Sequence, residues 1–132
     1  MAVDLSMNVL VVDDYSTMRR IIRNLLNQIG FENIDDAEDA TSALLKMKTK
    51  KYGLVICDWN MEPKSGYDLL REVRSDAELS TTPFIMITAE AKTQHAIDAR
   101  KAGASNFIVK PFNAATLKMK IEQVFPDLQK KD

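Results

Sequence analysis

Short, continuous apolar runs punctuate this chain, separated by longer stretches of helical periodicity. Val9-Leu10-Val11-Val12, Leu54-Val55-Ile56-Cys57, Phe84-Ile85-Met86-Ile87 and Phe107-Ile108-Val109 have the pattern of strands buried on both faces of a parallel sheet. Ile34 to Ala37 is a weaker strand candidate. Between the first runs Met18, Ile21, Ile22, Leu25 and Ile29 recur at helical spacing, and Gly30 offers a left-handed stop. Gly103 does the same for a helix expected to begin near Lys92, and Asn113 is the expected N-cap of a last helix carrying Leu117, Ile121 and Val124. The pattern predicts five strands and five helices in strict alternation, an α/β chain folded as a five-stranded, right-handed, doubly wound parallel sheet.

Composition narrows the class. The chain's 132 residues, 45% apolar and 28% charged, suit a single domain over 1–132 with its core between about residues 7 and 125. A net charge of -1 argues against nucleic acid as a partner, so the lysines at 46, 48, 50, 51, 130 and 131 read as solvated surface. Cys57 is the lone cysteine, which excludes an intramolecular disulfide. The acidic N-terminal stretch lacks the basic start of a signal peptide, and no apolar run approaches a membrane span. The expectation is a cytoplasmic monomer with no membrane insertion.

Ligands of such sheets bind beyond the carboxyl ends of the strands, near the point where strand order reverses. Asp13 and Asp14 follow the first run, Asp58 the third, Thr88 the fourth, and Lys110-Pro111 the fifth. Converging on one rim, carboxylates about 4 to 6 Å apart would repel by on the order of 4 kcal/mol per close pair at an effective dielectric near 20. Oxygen donors without histidine or cysteine suit a hard cation, Mg²⁺ in particular, and Lys110 adds a point charge for phosphate. Asp58 is the most telling, because strands are depleted in aspartate and an unpaired acid behind an apolar run is costly.

The segments VVDDYSTMRR, DWNM with Gly66 following, ITAEAK, AGAS and VKPFNAATL together resemble the receiver domain of bacterial two-component response regulators, nearest to stand-alone chemotaxis regulators of the CheY type. The likeness runs from about Met7 to Phe125 and implies a (βα)5, flavodoxin-like receiver fold. It implies that Asp58 accepts a phosphoryl group from a phosphohistidine on a separate histidine kinase. It further implies that Asp14, Asp58 and the backbone carbonyl of Asn60 hold Mg²⁺ directly, Asp13 acts largely through water, Lys110 binds a phosphoryl oxygen, and Thr88 follows the phosphoryl group inward. Phe107 would then move as the switch aromatic of the fifth strand. Lys92, Phe107 and Lys120 would belong to the partner-binding face, Asn60 and Glu90 would set the phosphorylated lifetime, and a flagellar switch protein or another downstream target, with a phosphatase, would be the remaining partners. Such a protein is a signalling receiver and catalyses only its own phosphorylation and dephosphorylation.

Two positions depart from the family pattern: Phe107 stands where tyrosine is commonest, and Pro63 comes one residue late, behind Glu62. Cys57 and Trp59 are expected to be packing residues beside the acceptor, and His95 a surface residue of the fourth helix. A phosphatase with an aspartyl nucleophile would alternate its acids, a flavodoxin-like electron carrier would have a hydroxyl-rich phosphate loop where Asp13 and Asp14 stand, and a Walker-type loop is absent. The alternatives that stay open are a stand-alone receiver of another phosphorelay, a phosphate sink, and a phosphate-independent binding module.

Overall fold

In the computed structural model, which describes residues 4–89 and 93–125, the elements alternate as β1 (Val9–Val12), α1 (Ser16–Ile29), β2 (Ile34–Ala37), α2 (Ala40–Thr49), β3 (Leu54–Asp58), α3 (Gly66–Ser75), β4 (Phe84–Thr88), α4 (Thr93–Ala102), β5 (Asn106–Val109) and α5 (Ala114–Val124). All strand pairs are parallel, in the order β2-β1-β3-β4-β5. The predicted alternation and doubly wound sheet are therefore what the chain forms. Among the described residues no helix is long and apolar enough to cross a membrane.

β1, β3 and β4 are buried on both faces because each face has its own helices, whereas β5, expected to be buried on both faces, lies at the sheet edge with only Ile108 fully buried. Val9, Val11, Leu54, Ile56, Ile85, Ile87 and Ile108 pack with Ile22 and Leu26 of α1 and Leu117 and Ile121 of α5. Leu10, Val12, Val55, Cys57, Phe84 and Met86 pack with Ala43 and Met47 of α2 and Leu69, Leu70 and Val73 of α3. Alternation along each strand thus sorts apolar side chains into two cores rather than one buried and one wet face. β2 reads weakly because its centre is Asp35-Asp36 at a sheet edge, where Asp35 pairs with Lys50 at 2.8 Å and Asp36 with Arg19 at 3.2 Å.

Helix ends follow the expected chemistry. Gly30 and Gly103 adopt φ of 124° and 101°, a left-handed stop that other residues take only with strain. Asn113 caps α5 by accepting the Thr116 N–H, and Ser65 with Asp68 forms a capping box on α3.

Two boundaries differ from the sequence reading. Asp58 and Thr88 are the last residues of β3 and β4, not the first beyond them. Asp58 stays in register with Ile87 and Thr88 with Val109, and the Trp59 N–H donates to the Ile87 carbonyl at 2.7 Å. Both polar side chains are therefore fixed by ladder hydrogen bonds rather than carried on a loop. The helix expected from near Lys92 is described from Thr93.

Candidate phosphoryl-acceptor and cation site

Strand order reverses between β1 and β3, which are neighbours in the sheet although β2 lies between them in sequence. Asp13 directly follows β1 and Asp58 ends β3, so the two acids stand on either side of the switch point where such sheets bind ligands. Asp13, Asp14 and Asp58 each offer an oxygen within 4.8 Å of the others. Asp13 and Asp58 are buried and Asp14 is exposed, which leaves the cluster open to solvent on one side.

Lys110, just after β5, closes the other side. Its backbone N–H donates to the Thr88 carbonyl at 2.7 Å, which binds the end of β5 to the end of β4. Its ammonium lies 2.8 Å from Asp58 Oδ1 and 3.8 Å from Asp13 Oδ2. The shorter contact is a close ion pair with Asp58, whereas the buried Asp13 Oδ2 has no hydrogen-bond donor among the described residues. Buried carboxylate oxygens left this way are costly. Thr88 is wholly buried at the neighbouring strand end.

Burial pushes the Asp13 carboxyl up from 3.8 to about 6, against the pull of the Tyr15 N–H, and the Asp58 charge raises it further. Burial likewise raises Asp58, while the Lys110 ammonium draws it down, Asp14 raises it and the Asn60 N–H lowers it. One ammonium does not neutralise this acid pocket. An all-oxygen donor set of three carboxylates, with the buried Asp13 Oδ2 left without a donor, fits a hard cation.

The surrounding backbone holds these groups rigidly. The Tyr15 N–H donates to Asp13 Oδ1 at 2.9 Å, and Arg19 donates to the Asp13 carbonyl at 2.7 Å while pairing with Asp36. Gly66 packs against β3 so closely that a Cβ there would overlap the Asp58 carbonyl oxygen and come within 3.1 Å of Cys57 Sγ. The Arg19 contact was not anticipated from sequence, although the arginine pair in YSTMRR one turn into α1 is the signal that carries it.

The remaining predicted residues are distributed as follows. Asn60 is exposed beside Asp58. Phe107, opposite Met86 on β5, is half-buried against the core that faces α2 and α3. Lys120 is half-buried on α5, its carbonyl accepting from Asn106 Nδ2 of β5. Glu90 and Lys92 lie outside the described residues. In the shifted-proline loop Glu62 and Pro63 are exposed and Met61 is buried. Cys57 is fully buried and burial raises its thiol well above the usual range, which makes it inert packing.

His95 corrects the sequence reading. It is half-buried rather than a free surface side chain, and its ring stacks on Trp59 with centroids 4.5 Å apart and planes 7° from parallel. Trp59 also stacks on Tyr67, at 5.2 Å and 24°. The helical surface position misled because the β3–α3 connection lifts Trp59 against α4.

The chain matches the response regulator receiver domain over residues 9–122. It is 49% identical over 123 residues to a chemotaxis protein CheY-3 of Vibrio cholerae, covering 93% of this chain and 95% of the relative. It is also 49% identical over 119 residues to a chemotaxis protein CheY of Pseudomonas aeruginosa, covering 90% and 96%. The solved structure of the Vibrio cholerae chemotaxis protein CheY4 superposes with a TM-score of 0.83 at 30% identity, covering 90% of this chain and 98% of that one. The chain, with its acid cluster at the switch point of a 2-1-3-4-5 sheet, belongs to the response regulator receiver domain family.

Proposed function

We propose that this protein is a single-domain chemotaxis response regulator that takes a phosphoryl group from a histidine kinase onto Asp58. The observation that carries the reading is Asp58 itself, buried at the end of β3 within reach of Asp13, Asp14 and Lys110. A carboxylate oxygen of Asp58 attacks the phosphorus of the phosphohistidine. The O–P bond forms as the P–N bond breaks, and the histidine nitrogen leaves with the electron pair. Lys110, already 2.8 Å from Asp58 Oδ1, meets the charge of the incoming phosphoryl oxygens. Asp14, Asp58 and the Asn60 carbonyl are the proposed direct ligands of Mg²⁺, with Asp13 acting through water. The bound cation supplies charge neutralisation to the carboxylates and the phosphoryl oxygens. The product is a mixed anhydride, so water attack at phosphorus releases phosphate and restores the Asp58 carboxylate. Asn60 and Glu90 set how readily that water enters.

Output follows from the position of Thr88. Its hydroxyl is drawn toward the phosphoryl group, Phe107 on the adjacent strand moves with it, and the face formed by α4, β5 and α5 changes its affinity for a partner. Phe107 of β5 and Lys120 of α5 belong to that face, Lys92 is proposed as a further partner-binding residue, and a flagellar switch protein is the target proposed. Phe107 offers no hydroxyl to such a partner, so its contribution is shape alone. The test is binding of a fluorescent peptide from a flagellar switch protein to the chain with and without phosphorylation. Tighter binding of the phosphorylated form supports the chemotaxis reading, and equal binding assigns the receiver to another relay.

A further inference from the structure

α4 is lightly held. Among the α4 side chains from Gln94 to Ala102, only Ala99 is fully buried, Ala96 and Ala102 are half-buried, and Ile97 is 39% exposed. Alanines bury little apolar area, whereas α1 buries Ile22 and Leu26 and α5 buries Leu117 and Ile121. Near its first turn α4 stacks His95 on Trp59. His95 Nδ1 is enclosed and has no hydrogen-bond partner among the described residues. Nδ1 therefore adds nothing to the ring contact that seats the imidazole on Trp59.

The other side of that stack is anchored to the acceptor. Trp59 follows Asp58 in sequence, its N–H donates to Ile87 at 2.7 Å, and its carbonyl accepts from the Gly66 N–H at 2.9 Å. The indole also stacks on Tyr67, and the Arg71 guanidinium sits over the Tyr67 ring, 5.9 Å from its centroid. A ladder of His95, Trp59, Tyr67 and Arg71 thus runs from α4, past the residue bonded to Asp58, to α3.

We infer that His95 is a positioning residue, whose stack on Trp59 holds α4 in the resting arrangement and makes displacement of α4 part of the response to phosphorylation at Asp58. The inference rests on the acceptor role proposed for Asp58. Because the stack is made in the resting arrangement, its loss lowers the barrier to the active one. Differential stabilisation of one state is the only way a contact can bias such an equilibrium.

The test compares His95→Ala and His95→Phe in single-turnover phosphorylation by acetyl phosphate with Mg²⁺, followed by mass spectrometry. His95→Ala is expected to react about 2- to 10-fold faster than wild type, the range that one aromatic pair can supply. His95→Phe, which keeps a ring against Trp59, is expected to react at the wild-type rate. A purely structural role would lower the thermal midpoint of His95→Ala without changing its rate, and that result, or a slower rate, overturns the inference. The wild-type chain provides a second measurement that needs no variant. In its proton NMR spectrum the His95 ring protons, shifted upfield by the indole, are expected to move toward unstacked values as the phosphorylated species accumulates. Phosphorylation with unmoved His95 shifts overturns the inference alone, whereas absence of any phosphorylated species overturns the acceptor role of Asp58 and the inference with it.

Discussion

Gly66 and Asp58 share a space that admits no side chain, since a Cβ on Gly66 would overlap the Asp58 carbonyl oxygen. The first turn of α3 therefore braces the end of β3 directly, and the Gly66 N–H completes the brace by donating to the Trp59 carbonyl. Gly66→Ala forces the strand end and the helix apart. It is expected to cost about 2 to 3 kcal/mol by urea denaturation, in the range of overpacked cores, and to slow phosphorylation by acetyl phosphate. A variant as stable as wild type would show that the helix start yields freely.

Lys110 and any bound cation compete for the same carboxylates. Lys110→Ala removes the ammonium 2.8 Å from Asp58 Oδ1, so Mg²⁺ is expected to bind several-fold more tightly, read by Trp59 fluorescence. Phosphorylation is expected to slow by at least about tenfold, because the phosphoryl oxygens lose their fixed cation. Tighter metal binding with an unchanged rate would remove Lys110 from the phosphoryl site.

The acid pocket sets the sign of a pH dependence. The Asp13 carboxyl sits at about 6 in the folded chain against an ordinary 3.8, so between those values the folded state binds more protons than the unfolded one. Its contribution to stability is present below about pH 4 and is lost as pH rises through 6. With metal removed by chelation, Asp13→Asn is expected to be more stable than wild type at pH 7.5 by on the order of 2 kcal/mol after solvent screening, and the gap is expected to close at pH 4. Mg²⁺ is expected to raise the wild-type thermal midpoint more at pH 7.5 than at pH 5. A gap that is the same at both pH extremes would contradict the pocket electrostatics.

Arg74 ties three segments together at the pole away from the acid site. Its guanidinium donates to the carbonyls of Gly103 at 2.8 Å, Thr82 at 2.7 Å and Ser80 at 3.1 Å, and burial lowers its proton affinity. Arg74→Met is expected to cost about 3 kcal/mol, from charged hydrogen bonds lost and carbonyls stranded, while phosphorylation proceeds at the wild-type rate. Loss of phosphorylation at full stability would place Arg74 in the signalling path instead.

The fold was legible where one physical cause dominates. β1, β3 and β4 are covered on both faces, and only a continuous apolar run satisfies that burial; Asp13 just after β1 and Asp58 at the end of β3 stood out against it. β2 was faint because an edge strand accommodates Asp35 and Asp36 by pairing them with Lys50 and Arg19. The rim residues Asp13, Asp14, Asp58 and Lys110 were legible because parallel strands place all their carboxyl ends on one side. The stack of His95 on Trp59 and the three-carbonyl grip of Arg74 were not, since both depend on how distant segments meet and neither leaves a periodic or spaced signature. The contact of Arg71 with Tyr67, one turn apart on α3, was within reach of the sequence pattern.

The most direct measurement is Trp59 fluorescence during addition of Mg²⁺ and then acetyl phosphate, with parallel mass spectrometry, on wild type and Asp58→Asn. The acceptor role predicts a Mg²⁺-dependent change in wild type, then a donor-dependent change that decays as a single phosphorylated species disappears, with no donor response in the variant. A phosphorylated species in Asp58→Asn that tracks the same signal, or none in wild type, would contradict it.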